Sequence, residues 1–292
     1  MQDQPQEPGA DNPISGLDHA LVLVEDLDRA RDRFAALGFT LSPRGLHSAQ
    51  RGTANHTIML EGAYIELLGV LTPTPLNAER RASLAAAGPG LHGLAFRIED
   101  AGSAPAALAA RGLRTHSASD FSRPVPLAGG GEALASFRTH QMDRAQFPLG
   151  MAFLCQHLTP DLLWQPALLD HPNTATRIAE VIGVSPDPAR DGAEFARLLG
   201  WRDAGAGLVR PQGPGTALRL MRRADYEALL SPAIFGRAPE GIHAALRVQV
   251  RDLATARLAI TAAGGAFREI AAGIAIPAEK AAGVALILSA EG

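Results

Sequence analysis

A strand that ends in an acidic turn and opens directly into a helix occurs four times in this chain, and that recurrence constrains the fold more than any other feature. The first copy runs through Leu17-Asp18-His19-Ala20-Leu21-Val22-Leu23-Val24. Glu25 and Asp26 form its turn, Asp26 caps a helix expected over residues 28–37, and Gly38 ends that helix. Residues 55–60 and 63–70 then read as a hairpin across Glu61 and Gly62. The second copy starts at residues 91–100, has a helix over 102–111 and ends in the strand 151–157. Its middle, residues 120–146, is rich in Gly, Pro and Arg and is expected to be a loop over an opening. A third, weaker copy runs from residues 178–184 through Asp187 into a helix over 189–199 that Gly200 stops. The fourth starts at residues 242–250, continues with a helix over 253–263 and ends at 284–288. Four strand-helix-strand units of this kind predict an α+β fold with two paired domains, 14–158 and 174–292. Residues 159–173, with Pro160, Trp164, Pro166 and Pro172, form the connector.

Side chains alternate across a strand, so His19 shares a face with Leu21 and Leu23, and Glu66 shares one with Tyr64 and Leu68. A carboxylate in an apolar strand needs a cation, hydrogen bonds or a proton, because an unpaired buried charge is too costly to keep. A metal ion shared with His19 would supply the cation. The plainer alternatives are a buried Arg partner or a protonated acid.

Composition excludes several classes. A net charge of -3 gives no general electrostatic reason to bind nucleic acid or an anionic membrane. Cys155 is the only cysteine, which rules out an intramolecular disulfide and a Cys-rich zinc site. No stretch approaches the roughly 20 uninterrupted apolar residues of a membrane span. Residues 1–12 are polar, carry no Lys or Arg and are expected to be a frayed tail. A cytoplasmic location is the default. There is no phosphate loop of Walker type and no Gly-x-Ser-x-Gly elbow.

The four βαβββ units, with His19 in the first strand of the first unit and Glu66 in that unit's last strand, resemble the vicinal oxygen chelate superfamily. Gly52-Thr53-Ala54-Asn55 before the hairpin and Tyr64-Ile65-Glu66-Leu67 within it are most similar to the glyoxalase-like branch. The resemblance implies two paired half-barrel domains, the second degenerate. It also implies a divalent metal, Zn, Ni, Fe or Mn, held by residues from the first and last strands of each unit. Carried onto this chain, the ligands are His19, Glu66, His92 and Gln156, with Glu66 also serving as the catalytic base. Asn55, Arg97 and His157 are the expected substrate contacts.

Counting back from each acidic turn sharpens these expectations. Aligning Val24 with Ile98, Val184 and Val250 matches His19 with Gly93, Ala179 and Ala245. His92 then falls one residue early, on the face of Leu94 and Phe96, and reaches the site only if a bulge re-aims it. The same count turns Gly93, Ala95 and Arg97 inward in the second unit, and His243, Ala245, Arg247 and Gln249 in the fourth. His47, His116, His140 and His171 fall in expected loops, and Cys155 reads as an inert core thiol.

The expected function is a glyoxalase-like, divalent-metal-dependent lyase or isomerase acting on a small carbonyl- or hydroxyl-bearing substrate. One alternative is a metal-free protein that sequesters a small molecule. The other is an extradiol-type ring-cleaving dioxygenase, ranked lower because residues 284–288 carry no acid to match Glu66. Monomer and homodimer are both compatible with fused paired units.

Overall fold

The structure, a computed structural model, describes residues 12–127, 129–147, 149–231 and 238–291. The expected N-terminal tail lies outside them except for Asn12, whose amide donates to the carbonyls of Leu199 and Gly200. Two eight-stranded sheets share one topology. The first contains β1 (Ile14–Val24), β2 (Gly45–Leu46), β3 (Thr53–Met59), β4 (Tyr64–Val70), β5 (Gly90–Ile98), β6 (Ser119–Pro126), β7 (Glu132–Gln141) and β8 (Met151–His157). Their order is β2-β3-β4-β1-β5-β8-β7-β6. The second, in the order β10-β11-β12-β9-β13-β16-β15-β14, contains β9 (Ala175–Val184), β10 (Arg202–Asp203), β11 (Leu208–Arg210) and β12 (Ala217–Met221). It is completed by β13 (Ala245–Val250), β14 (Arg268–Ile270), β15 (Gly273–Ile276) and β16 (Ala285–Ala290).

Each sheet is two βαβββ units joined through their first strands: β1 runs antiparallel to β5, and β9 to β13. Within a unit the first and last strands pair in parallel, as β1 with β4 and β5 with β8. This pairing follows from the helix between them, because parallel neighbours need a long crossover. The crossover helices are α1 (Leu27–Ala36), α3 (Ala104–Ala109), α4 (Pro188–Leu199) and α6 (Leu253–Ala262); α2 (Ala78–Ala87) and α5 (Arg223–Leu229) lie in the links between paired units. Asp26, Asp187 and Asp252 cap α1, α4 and α6 with their side chains. Among the described residues no helix is long and apolar enough to cross a membrane.

Alternation along the strands separates two faces. Ala20, Val22, Ile65 and Leu67 pack with Leu27 and Phe34 under the helices, whereas Leu21, Leu23, Tyr64, Leu68, Ala95 and Phe153 form a second cluster on the inner face. The helix-side cluster is continuous from Ile14 to Leu288, so both sheets share one core. The edge strands β2 and β6 of the first sheet come into contact, which curls that sheet nearly closed.

Two expectations need correction. The expected loop over residues 120–146 is instead built around the hairpin β6–β7, paired from Ser119↔Thr139 to Pro126↔Glu132. In the third unit the register is one residue off, because Pro186 adds a residue to the turn before the capping Asp187. Glu180, not Ala179, therefore matches His19.

Candidate active site

The site is built around a bulge in β1. Leu17 pairs with Phe96 and His19 with Ala95, so Asp18 is an extra residue between them. Leu17 and Ala20 both pack under the helices, which leaves Asp18 and His19 together on the inner face, as a two-against-one bulge requires. Asp18 is fully buried. Its Oδ1 accepts from His19 Nδ1 at 2.7 Å and from His157 Nε2 at 2.9 Å, and its Oδ2 accepts from Arg97 Nε at 3.2 Å. Burial alone would raise its pKa, but the charge of His157 and the hydrogen bonds of both imidazoles hold it well below the usual carboxylate range. An ionised carboxylate can only accept, so His19 must donate through Nδ1, leaving Nε2 directed at the cleft.

Tyr64 stacks on the His19 ring at 4.5 Å between centroids and Phe153 meets its edge at 5.3 Å. Held between them, His19 Nε2 faces Glu66 Oε2 at 3.5 Å. Glu66 is positioned by β4, with Oε1 accepting from Asn55 Nδ2 at 2.6 Å across the β3–β4 hairpin. Burial pushes its pKa up, but His19, the Asn55 hydrogen bond and Arg123 outweigh this and hold it below the usual carboxylate value. His47, which bonds Thr53 Oγ1 at 2.7 Å, is pushed down to about 4 by burial and neighbouring arginines, against the pull of Glu66, and is neutral near pH 7.

These residues line one cleft together with Arg51, Arg80 and Arg123. Glu66 is the single acid among the lining residues.

The expected site residues separate into groups. His19, Glu66 and Asn55 meet in the cleft. His157 and Arg97 converge on Asp18, behind His19, and Arg97 also donates to the carbonyl of Gly62 and lies over Trp164. His92 does not join them. It is the extra residue of a second bulge, on β5 between Leu91 and Gly93, but its nitrogens are taken up by Ser83 Oγ of α2 and the Gly88 carbonyl, each at 2.7 Å. Gln156 also faces the helices, accepting from Ala101 N at 3.1 Å and donating to the Glu99 carbonyl. Asp18, His47 and the three arginines were not singled out from the sequence. A bulge leaves no mark in an alternating pattern, and the arginines come from a turn (Arg51), the linking helix α2 (Arg80) and a hairpin read as a loop (Arg123).

The register also shows what is missing. The local two-fold that exchanges β1 and β5 relates His19 to Gly93, and Glu66 to Phe153. Neither can bind a metal. In the second sheet Glu180 stands where His19 stands in the first, Arg219 where Glu66 stands, and Arg247 where Ala95 stands. Glu180 accepts from Arg219 at 2.6 Å and from Arg247 at 3.1 Å. The second sheet thus does carry an inward acid, on β9 rather than on its last strand, and two guanidinium groups neutralise it.

Two donor sets could hold a metal. Asp18, His19 and Cys155 offer ligand atoms within 4.8 Å of one another. That set fits poorly, because both Asp18 oxygens already serve other groups and burial pushes the Cys155 thiol well above its usual pKa. His19 Nε2 with Glu66 Oε2 fits better, since each faces the cleft and each is fixed from behind by a hydrogen bond, the arrangement that orients metal ligands.

Paired βαβββ units in this strand order define the vicinal oxygen chelate fold. The chain belongs to the glyoxalase-like domain family, whose sequence model matches residues 17–199. Among solved structures it is similar to a hypothetical protein from Staphylococcus aureus, at 12% identity over 94% of this chain and 99% of that one, with a TM-score of 0.63. A mutant of 4-hydroxymandelate synthase from Streptomyces coelicolor matches at 15% identity over 88% of this chain and 77% of that one, with a TM-score of 0.58. A xylose isomerase-like TIM barrel/4-hydroxyphenylpyruvate dioxygenase fusion protein matches at 16% identity over 99% of this chain and 52% of that one, with a TM-score of 0.52. These likenesses are of fold. No curated protein matches the sequence.

Proposed function

We propose that the cleft of the first sheet is the active site of a divalent-metal-dependent lyase or isomerase of the glyoxalase type, acting on a small substrate with neighbouring carbonyl or hydroxyl oxygens. The observation that carries this reading is the approach of His19 Nε2 to Glu66 Oε2 at 3.5 Å, with Asp18 and Asn55 fixing the far side of each. A divalent ion held by these two groups, Zn, Ni, Fe or Mn, would act as a Lewis acid toward substrate oxygens. The protein's own groups supply the rest. Asp18 keeps Nδ1 of His19 protonated and so fixes which nitrogen faces the substrate. Glu66, buried yet ionised, is placed to accept a proton from the substrate through Oε2. Tyr64 and Phe153 clamp the imidazole and exclude water from its faces.

Metal-free sequestration of a small molecule is the second reading, favoured by Gly93 and Phe153 at the two-fold-related positions. A ring-cleaving dioxygenase would need a second imidazole beside His19 and Glu66, whereas both His92 nitrogens are engaged by Ser83 and Gly88 and His157 Nε2 by Asp18. Metal analysis after dialysis against each ion separates the readings. A single equivalent per chain is expected, lost in His19→Ala and bound about tenfold or more weakly in Glu66→Gln. Wild-type protein that retains no ion would leave the sequestering reading standing.

A further inference from the structure

Arg123, on the edge strand β6, is 5% exposed, and its guanidinium makes no hydrogen bond or ion pair among the described residues. It lines the cleft, where it acts electrostatically on Glu66 and His47. Its position depends on the seam where β2 meets β6. A Cβ on Gly45 would come within 2.8 Å of Arg123 Nη1 and 2.5 Å of Asn55 Oδ1, so only glycine leaves these groups their space. Asn55 Oδ1 is itself buried and without a donor. Two further cations face the same space. Arg80 on α2 has a buried Nε with no partner, and Arg51 reaches over the Phe121 ring at 4.0 Å while donating to Ser119 Oγ at 2.9 Å. Three guanidinium groups therefore share a cleft with one carboxylate, and that carboxylate is already engaged by His19 and Asn55.

A buried cation without a counter-charge is strongly unfavourable, and guanidinium is the side chain best matched to oxyanions. We propose that the cleft takes a small oxyacid anion, a carboxylate or a phosphate, whose charged oxygens seat on Arg123, with Arg80 and Arg51 adding to the positive field. The orphaned Asn55 Oδ1 beside it would accept from a hydroxyl on the same molecule. This deepens the reading of the cleft as a substrate site and rests on it, but it does not depend on a metal. The second sheet shows the contrast, since Arg219 and Arg247 on its inner face are both paired with Glu180.

The test uses chelator-treated full-length protein, with pyruvate and inorganic phosphate as probes at low ionic strength and pyruvamide as the neutral counterpart of pyruvate. Calorimetric titration should show binding of pyruvate or phosphate, none of pyruvamide, and about tenfold or more weaker binding in Arg123→Gln. Which probe binds identifies the anion class. If Arg123→Gln does not fold, the wild-type comparison of pyruvate with pyruvamide decides. Wild-type protein that binds neither anion, that binds acid and amide alike, or whose anion affinity survives in folded Arg123→Gln would overturn the proposal. Because metal is removed, failure here is distinct from failure to find an ion at His19 and Glu66.

Discussion

At the scale of single residues, the candidate site depends on Asp18 more than on either group that faces the cleft. One fully buried carboxylate receives His19, His157 and Arg97, so it sets the tautomer of His19 and pairs with a partly exposed guanidinium. Asp18→Asn keeps the shape and removes the charge. Breaking a buried ion pair from one side costs about 3–5 kcal/mol, and urea unfolding should show a loss of that order. A variant as stable as wild type would mean that Asp18 fills space and no more. His19 and Glu66 were legible in the sequence because an imidazole and an acid stand out against apolar neighbours in strands. Asp18 was not, because alternation assigns it to the helix side and only the bulge brings it inward. His92 was misleading for a different reason: it too is the extra residue of a bulge, but Ser83 and Gly88 satisfy both of its nitrogens beside α2.

At the scale of elements, the strand-turn-helix repeat carried the division into four units in two paired sheets. Where it failed, the cause is local. Pro186 lengthens one turn and shifts the count for β9, which hid the match between Glu180 and His19. The hairpin β6–β7 alternates weakly and carries Pro124 and Pro126, so it reads as a loop although its strands close the sheet against β2. That closure makes its own prediction. Gly45→Ala puts a methyl group where the ends of the Asn55 and Arg123 side chains lie, and both must shift to make room. Anion affinity should fall, because both groups belong to the cleft. Unchanged affinity in a folded Gly45→Ala would show that the seam does not shape the site.

At the scale of the molecule, two sheets of one topology have diverged in charge. The first keeps an imidazole and a carboxylate facing an open cleft, whereas the second closes the same positions with Glu180, Arg219 and Arg247. The expected division into 14–158 and 174–292 remains a proposal, and the shared helix-side core argues that the halves unfold together. His243 sits at their junction. Its backbone donates to the Leu91 carbonyl, its ring packs against Gly150 and Gly183, and Nδ1 has no partner. Burial, helped by the charge of Arg144, pushes its pKa down to about 3. Unfolded histidine titrates near 6.5, so between about pH 6.5 and 3 the unfolded chain binds more protons. This contribution to stability is complete above pH 6.5 and declines as pH falls toward 3. His243→Gln should flatten the pH dependence of the unfolding midpoint in that window, and a slope unchanged from wild type would place the ring outside the junction.

The most direct measurement for the account as a whole is anomalous diffraction from crystals of the full chain grown with cobalt(II). A single peak is expected in the first sheet, in contact with His19 Nε2 and the Glu66 carboxylate, and none beside Glu180. A peak at Asp18 and Cys155 without Glu66, a peak in the second sheet, or no peak at full cobalt exposure would contradict it.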